Sequence, residues 1–310
     1  MHRGAMSNGG AVSDHQATDR MALLVDPETR ETLVFDGASY RTADGRQYGI
    51  EHGIVRMLGA VDPDLARELE AQDAGVEEYL SPLYLMQRYE RKMAELAVVE
   101  LFGCTPPSGL FLDAGCGVGL LGRMFPNLGL VGLDASFTLL RHATVGYRLR
   151  VEASAERMPF PDACFDGVMA LNMLHHVIRP ENAVREFARV LKPGGTLVTV
   201  DPRKVSIIET AKRVLRGNHE GFAPTHKAFG VEEYERLLLE HGPFELERSE
   251  RVGLVTLVVM GGLDALRLSP HLPGRDALAA GLVALDRLLF RVPNVDRAGL
   301  NLVVRARRAG

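Results

Sequence analysis

The chain has 310 residues, 46% of them hydrophobic and 25% charged, with a net charge of −4 and a sequence pI of about 6.2. These are ordinary globular values, and the acidic balance argues against a surface built for nucleic acid or an anionic membrane. Three cysteines, Cys104, Cys116 and Cys164, are too few and too scattered for a disulfide framework and suit a reducing, cytoplasmic setting.

Residues 1–20 are polar and rich in Gly, Ser and Asp, with no apolar core, which reads as a disordered tail rather than a signal peptide. Residues 21–60 pattern as a small β module. Leu33-Val34-Phe35, Tyr40, Tyr48-Gly49-Ile50 and Ile54-Val55 are strand-like, and Asp36-Gly37 and Asp44-Gly45 between them are turn signals. Residues 61–107 read as a helical connector. Asp62 is an N-cap before Pro63, Ser81-Pro82 repeats the device, and Leu85, Met86, Tyr89, Met93, Leu96 and Glu100 recur at near-helical spacing.

The rhythm changes to strand–turn–helix in residues 108–310. Strands are expected at 110–113, 130–134, 148–152, 166–171 and 196–201, with helical stretches between them. That alternation predicts an α/β fold, a parallel sheet with helices on both faces. Residues 202–230 form an excursion over the sheet's carboxyl edge. A helix (231–241), a strand (244–252), an apolar insertion (254–292) and a closing strand (300–305) complete the chain. The longest apolar run, 252–263, is broken by Gly253, Gly261 and Gly262 and is too short to span a bilayer, so a soluble protein is expected.

The chemistry concentrates in Phe111-Leu112-Asp113-Ala114-Gly115-Cys116-Gly117-Val118-Gly119, where the first sheet strand turns into its helix. Glycines there allow positive φ and close approach of backbone to ligand. A dinucleotide-binding turn spaces its glycines G-x-G-x-x-G around a pyrophosphate. Here the third glycine comes one residue early, and Asp113 precedes the loop. A carboxylate suits an ammonium-bearing ligand better than phosphates. S-adenosylmethionine (SAM), with an amino acid head, a ribose, an adenine and no phosphate, fits.

Further signals follow in order. Asp134 ends the second strand, placed to accept from both ribose hydroxyls. Arg157-Met158-Pro159-Phe160 precedes Cys164-Phe165-Asp166, and the fourth strand runs into Asn172-Met173-Leu174-His175-His176-Val177. Arg189-Val190-Leu191-Lys192-Pro193-Gly194-Gly195 is a helix-to-strand turn. This ordered set resembles the class I SAM-dependent methyltransferases, and especially their ubiquinone/menaquinone methyltransferase branch, firmly over residues 108–201. The resemblance implies a Rossmann-like, seven-stranded, mostly parallel sheet. It implies that Gly115, Gly117 and Gly119, with Cys116 as a small residue between them, let the backbone pass the methionine moiety and ribose. It also implies that Asp113 meets the ammonium directly or through water, that Asp134 holds the ribose with Ala135 beside the adenine, and that Ser154-Ala155-Glu156 covers the adenine edge. The resemblance also places Asn172 in the cleft by the sulfonium. Many relatives carry Asp where this chain has Ser154, a weaker acceptor. Asp166, Cys164 and the Lys-Pro-Gly-Gly turn read as structural.

Residues 23–58 resemble a small zinc-ribbon module found in bacterial ribbon proteins, methyltransferase activators and some rRNA guanine methyltransferases. The shared frame is Leu23-Leu24, Pro27, Leu33, Gly45, Tyr48, Ile50, Gly53-Ile54-Val55 and Leu58. The resemblance puts the metal cysteines at Asp26, Thr29, Arg41 and Asp44. An arginine among them excludes a tetrahedral zinc site, so no metal is expected. The module is expected to serve as scaffold or in self-association, a homodimer being one outcome, rather than in substrate capture.

If the acceptor is a hydroxyl or an acidic carbon, a base must take its proton, and histidine suits neutral pH. His175 and His176 follow the fourth strand directly, although the pair can equally pack or cap. At most one is expected to face the acceptor, His176 being the less exposed because Val177 follows it into a helix. His219 and His226 lie in the excursion, and Tyr84, Arg88 and Tyr89 on the connector are candidate lid residues. The 254–292 insertion fits either a roof over an apolar pocket, as for a natural-product acceptor, or a dimer interface. The leading expectation is methyl transfer to a small-molecule acceptor, with S-adenosylhomocysteine as product and no nucleic acid partner. Two alternatives stay open: an rRNA or tRNA base methyltransferase, and a SAM-binding protein that does not methylate, such as a regulatory partner or a cyclase.

Overall fold

The computed structural model describes residues 23–80, 109–204, 228–265, 268 and 271–310. The N-terminal tail, the Ser81-Pro82 cap, the stripe from Leu85 to Glu100, Tyr84, Arg88, Cys104, His219 and His226 lie outside the described residues.

The N-terminal module supplies strands β1 (Val34–Phe35), β2 (Ser39–Arg41), β3 (Gln47–Glu51) and β4 (Ile54–Arg56). Helices α1 (Pro63–Ala74) and α2 (Val76–Leu80) follow. α1 starts where the sequence marks it, with Asp62 accepting from the amides of Asp64 and Leu65 and proline in the first turn. The core then runs β5 (Phe111–Ala114), α3 (Leu120–Met124), β6 (Leu130–Asp134), α4 (Phe137–Leu140), β7 (Tyr147–Glu152), β8 (Phe165–Leu171), α5 (Pro180–Val190) and β9 (Leu191–Pro202). It closes with α6 (Val231–His241), β10 (Phe244–Val252), α7 (Val255–Ala265), α8 (Arg275–Leu289) and β11 (Asn301–Arg308).

The strands form one 11-stranded sheet in the order β1-β2-β3-β4-β7-β6-β5-β8-β9-β11-β10. β7, β6, β5, β8 and β9 are parallel, and β11 inserts antiparallel between β9 and β10. The Rossmann-like seven-stranded core is thus present, and the module lengthens it at one edge, where Ile54, Val55 and Arg56 of β4 pair in parallel with Arg150, Val151 and Glu152 of β7. The chain leaves β5 toward β6 and β7 on one side and returns to β8 and β9 on the other, so the carboxyl end of β5 is the topological switch point where open α/β sheets bind ligands.

Alternation along the strands fills both faces. Leu112 and Ala114 pack with Val131, Leu133, Phe160 and Phe187, whereas Phe111 packs opposite with Leu130, Met169, Val198 and Met260 of α7. The module has no separate core. Its Leu24, Leu33, Tyr40, Val55 and Met57 join the Leu112 cluster, each fully buried aliphatic side chain stabilising the docking by about 1.5–3 kcal/mol. Polar contacts fix its register: the Val25 amide donates to Pro159 O at 3.0 Å, and Arg30 reaches Met158 O at 2.5 Å and Glu186 at 2.9 Å.

Two local expectations change. The Lys192–Gly195 turn is absorbed into β9 as a bulge: pairing jumps from Phe165–Leu191 to Gly167–Thr196, with Gly194 at φ 75°. His175 and His176 enter no long helix. They sit in one 3-10 turn, Leu174–His176, after which Val177 is extended.

The four positions where the zinc-ribbon resemblance would put metal cysteines each have their own polar partners. The buried Asp26 carboxylate accepts from the Glu28 and Thr29 amides, from Tyr48 Oη at 2.8 Å and from Arg46. Thr29 accepts from the Glu31 amide, Arg41 pairs with Asp36, and Asp44 accepts from Thr42. No cluster of metal-ligating side chains occurs among the described residues.

Candidate active site

The glycine loop follows β5 in the conformation its sequence demands. Gly115, Gly117 and Gly119 all have positive φ, at 73°, 50° and 82°. A Cβ on Gly115 would lie 2.6 Å from Met173, and one on Gly119 would lie 2.7 Å from the Ala143 backbone. At Gly117 a Cβ would meet no described heavy atom within 4 Å, so this residue offers bare backbone on its open side. Cys116 is buried, and burial pushes its thiol well above the usual cysteine range, so it acts as a small packing residue.

Two buried acids flank the loop. Asp134, ending β6, accepts from the Gly117 amide at 2.8 Å and the Ser136 amide at 2.9 Å. Burial raises its pKa, against those amides and the charge of His176. Asp113 is only 3% exposed and accepts from Tyr147 Oη at 2.6 Å. Burial pushes it up to about 7, the Tyr147 hydrogen bond opposing and the Asp134 charge adding to the rise. A carboxylate on each side makes this loop hostile to a pyrophosphate and suited to a ligand with hydroxyls and an ammonium. The cradle therefore fits SAM.

The other candidates line up along the same edge. Ala135 follows Asp134. Ser154 follows β7 and accepts from the Glu156 amide, Ala155 is buried in the core, and Glu156 turns to the Arg179 guanidinium at 2.9 Å. Asn172 follows β8 in the left-handed region, φ 53°, with its amide donating to Val200 O. A non-glycine residue there is uncommon and marks a backbone held by its surroundings. Asp166 has the structural role read for it, accepting from the Leu110 amide and pairing with Lys192.

The two histidines are brought together, their ring centroids 4.0 Å apart. His175 Nδ1 lies 2.8 Å from Oδ1 of Asp201, a wholly buried acid in β9 whose Oδ2 accepts from Tyr234 Oη at 2.7 Å. A carboxylate accepts, so Nδ1 donates and the lone pair of the neutral ring sits on Nε2. Burial lowers the His175 pKa, opposed by Asp201. His176 Nδ1 lies 2.7 Å from Glu68 of α1, itself buried. Its side chain is 18% exposed against 12% for His175, the reverse of the sequence expectation, because Val177 leads away from a helix. α1 is fixed over this edge a second time, Asp73 accepting from Ser136 Oγ at 2.6 Å and Thr138 Oγ1 at 2.8 Å.

Sequence reasoning missed Glu68, Asp73, Tyr147, Asp201 and Tyr234 as partners of the site. Asp201 carried a signal: an acid closing the apolar run Leu197-Val198-Thr199-Val200 needs a reason to be buried. The others carried none.

Comparison with known proteins places the chain in a family. Residues 112–199 match a family model described as a methyltransferase domain. A fatty-acid O-methyltransferase of Mycolicibacterium smegmatis is 36% identical over 208 residues, 64% of this chain and 70% of that protein. A ubiquinone/menaquinone biosynthesis C-methyltransferase of Azotobacter vinelandii is 43% identical over 68 residues, 22% of this chain and 27% of that protein. Three other curated relatives are covered over only 28–52% of their own length. A solved complex of the Haloferax volcanii Trm112 methyltransferase activator with a methyltransferase shares the fold, with a TM-score of 0.51 at 16% identity over 78% of this chain and 96% of that one. The chain belongs to the class I SAM-dependent methyltransferases. No helix among the described residues is long and apolar enough to cross a membrane.

Proposed function

We propose that this chain methylates an oxygen or acidic carbon of a small, largely apolar molecule, a fatty acid or natural product, releasing S-adenosylhomocysteine. One observation carries the reading: an imidazole backed by a buried carboxylate, His175 on Asp201, stands at the same sheet edge as the glycine loop with its two acids. When bound, SAM supplies a methyl group on a sulfonium, open to in-line displacement.

The chain's residues do the rest. Gly115, Gly117 and Gly119 pass the methionine end along bare backbone, and Asp134 accepts from the ribose hydroxyls while keeping its loop amides. Ala135 and the Ser154–Glu156 segment border the adenine, and Asn172 borders the reacting centre. His175 takes the acceptor's proton at Nε2, and Asp201, held by Tyr234, orients the ring and stabilises the imidazolium. α1 excludes water by closing over the edge through Glu68 and Asp73.

The similarity to a fatty-acid O-methyltransferase supports an apolar acceptor. The net charge of −4 weighs against RNA. Transfer of labelled methyl from SAM to a panel of fatty acids, phenols and polyketides tests the reading. Label in an apolar product, with release of S-adenosylhomocysteine, supports it; SAM binding with no transfer to any acceptor class speaks for a non-methylating protein.

A further inference from the structure

We propose that Tyr147 is the positioning residue of the cofactor loop, holding Asp113 in place as the counter-charge to the ammonium-bearing end of SAM. The inference rests on the SAM reading and adds to it a residue that neither the motif nor the mechanism uses.

Tyr147 opens β7, yet its ring is bedded on three glycines from other elements. A Cβ would lie 3.1 Å from the ring at Gly119, 2.3 Å at Gly122 and 2.8 Å at Gly132. The ring therefore fills the space beneath the loop, the first turn of α3 and β6 at once. Its hydroxyl donates to Asp113 at 2.6 Å and accepts from the Gly122 amide at 3.2 Å. Burial pushes the phenol well above the usual tyrosine range, so it remains a donor.

The groups facing Asp113 explain why a donor is needed. Asp134 on β6 repels its charge, Cys116 in the loop is a neutral thiol, and β8 presents Met169. Arg150 acts on Cys116 but is not among the groups that shift Asp113. Burial favours the protonated acid, and the Tyr147 hydrogen bond is what lowers its pKa, leaving it at about 7. A cation at the loop favours the ionised form, so its binding is linked to release of the Asp113 proton. Affinity then rises with pH up to about 7 and levels above it, by at most about tenfold per pH unit for one linked proton. Tyr147→Phe keeps the ring and removes the donor. Asp113 then holds its proton to higher pH, and the rise in affinity moves to higher pH with it.

The test is calorimetry of S-adenosylhomocysteine between about pH 6 and 8, in two buffers of different ionisation enthalpy, on the wild type, Tyr147→Phe and Asp113→Asn. The wild type is expected to bind more tightly as pH rises and to release protons below about pH 7. Tyr147→Phe is expected to bind roughly five- to thirtyfold more weakly at neutral pH, with its pH profile displaced upward. Asp113→Asn is expected to bind weakly and to lose the pH dependence. A Tyr147→Phe protein with wild-type affinity and profile overturns the proposal. So does an Asp113→Asn protein that keeps the wild-type profile, which decides the matter even if the first variant fails to fold. A wild type that binds no S-adenosylhomocysteine at any pH defeats the SAM reading itself.

Discussion

His175 and Asp201, brought within 2.8 Å from the ends of neighbouring strands, make a histidine–carboxylate pair in which the acid is wholly buried and the ring nearly so. The pair gives His175 a defined tautomer and a reason to be basic at Nε2. Replacing His175 with Ala is expected to lower kcat at least about tenfold while SAM affinity stays near wild type. Asp201→Asn should lower kcat in the same direction. Steady-state kinetics with calorimetry separates this from a packing role, which would lower melting temperature or SAM affinity in step with turnover.

The same pair predicts the acid limb of the rate profile. Burial lowers the His175 pKa from its ordinary value of 6.5. The base must be neutral to work, so turnover should hold at neutral pH and fall only as pH drops below that ordinary value. A wild-type pH–rate profile checks this, and a limb centred above neutral would assign the base elsewhere.

Glu68 and His176 tie α1 to the sheet edge at 2.7 Å, with Glu68 buried. Losing a hydrogen bond to a buried charged group costs about 1.5–3 kcal/mol. A double-mutant cycle with Glu68→Ala and His176→Ala, read by denaturant unfolding, should therefore be strongly non-additive. Additive losses would mean the contact contributes nothing to stability.

Asp26 is a buried polar anchor of the N-terminal module, accepting from two amides, the Tyr48 hydroxyl and the Arg46 guanidinium. Burial works to raise its pKa, but the Thr29 amide, the Tyr48 hydroxyl, the Glu28 amide and the Arg46 charge outweigh it and hold the pKa below the ordinary 3.8. The depressed value means a stabilising contribution present above that pH and lost as the pH falls through the folded-state pKa. Elemental analysis is expected to find no stoichiometric zinc, and chelator should leave the melting temperature unchanged. Asp26→Ala should lower stability by about 1–3 kcal/mol at neutral pH.

What the sequence made legible was local. The glycine loop, Asp134, the α1 cap and the alternating strands each declare themselves within a few residues, through φ requirements, capping chemistry and hydrophobic period. What it hid was reached by folding. Glu68 meets His176 across 108 positions and Tyr147 meets Asp113 across 34. A mid-helix glutamate and a strand-opening tyrosine look like surface and core residues until topology brings them to one edge. The histidine turn was misread for the same reason: nothing local in Leu174-His175-His176-Val177 says that the turn stops after one 3-10 step.

The central claim is that the loop between Asp113 and Asp134 binds SAM. Calorimetric titration of SAM into the wild type and Asp134→Ala tests it most directly, with melting temperature confirming that both are folded. The account predicts binding by the wild type and a loss of more than about tenfold in the variant, the cost of about 1.5–3 kcal/mol for removing a buried charged acceptor. Equal SAM affinity in the two proteins, or no SAM binding by the wild type, would contradict it.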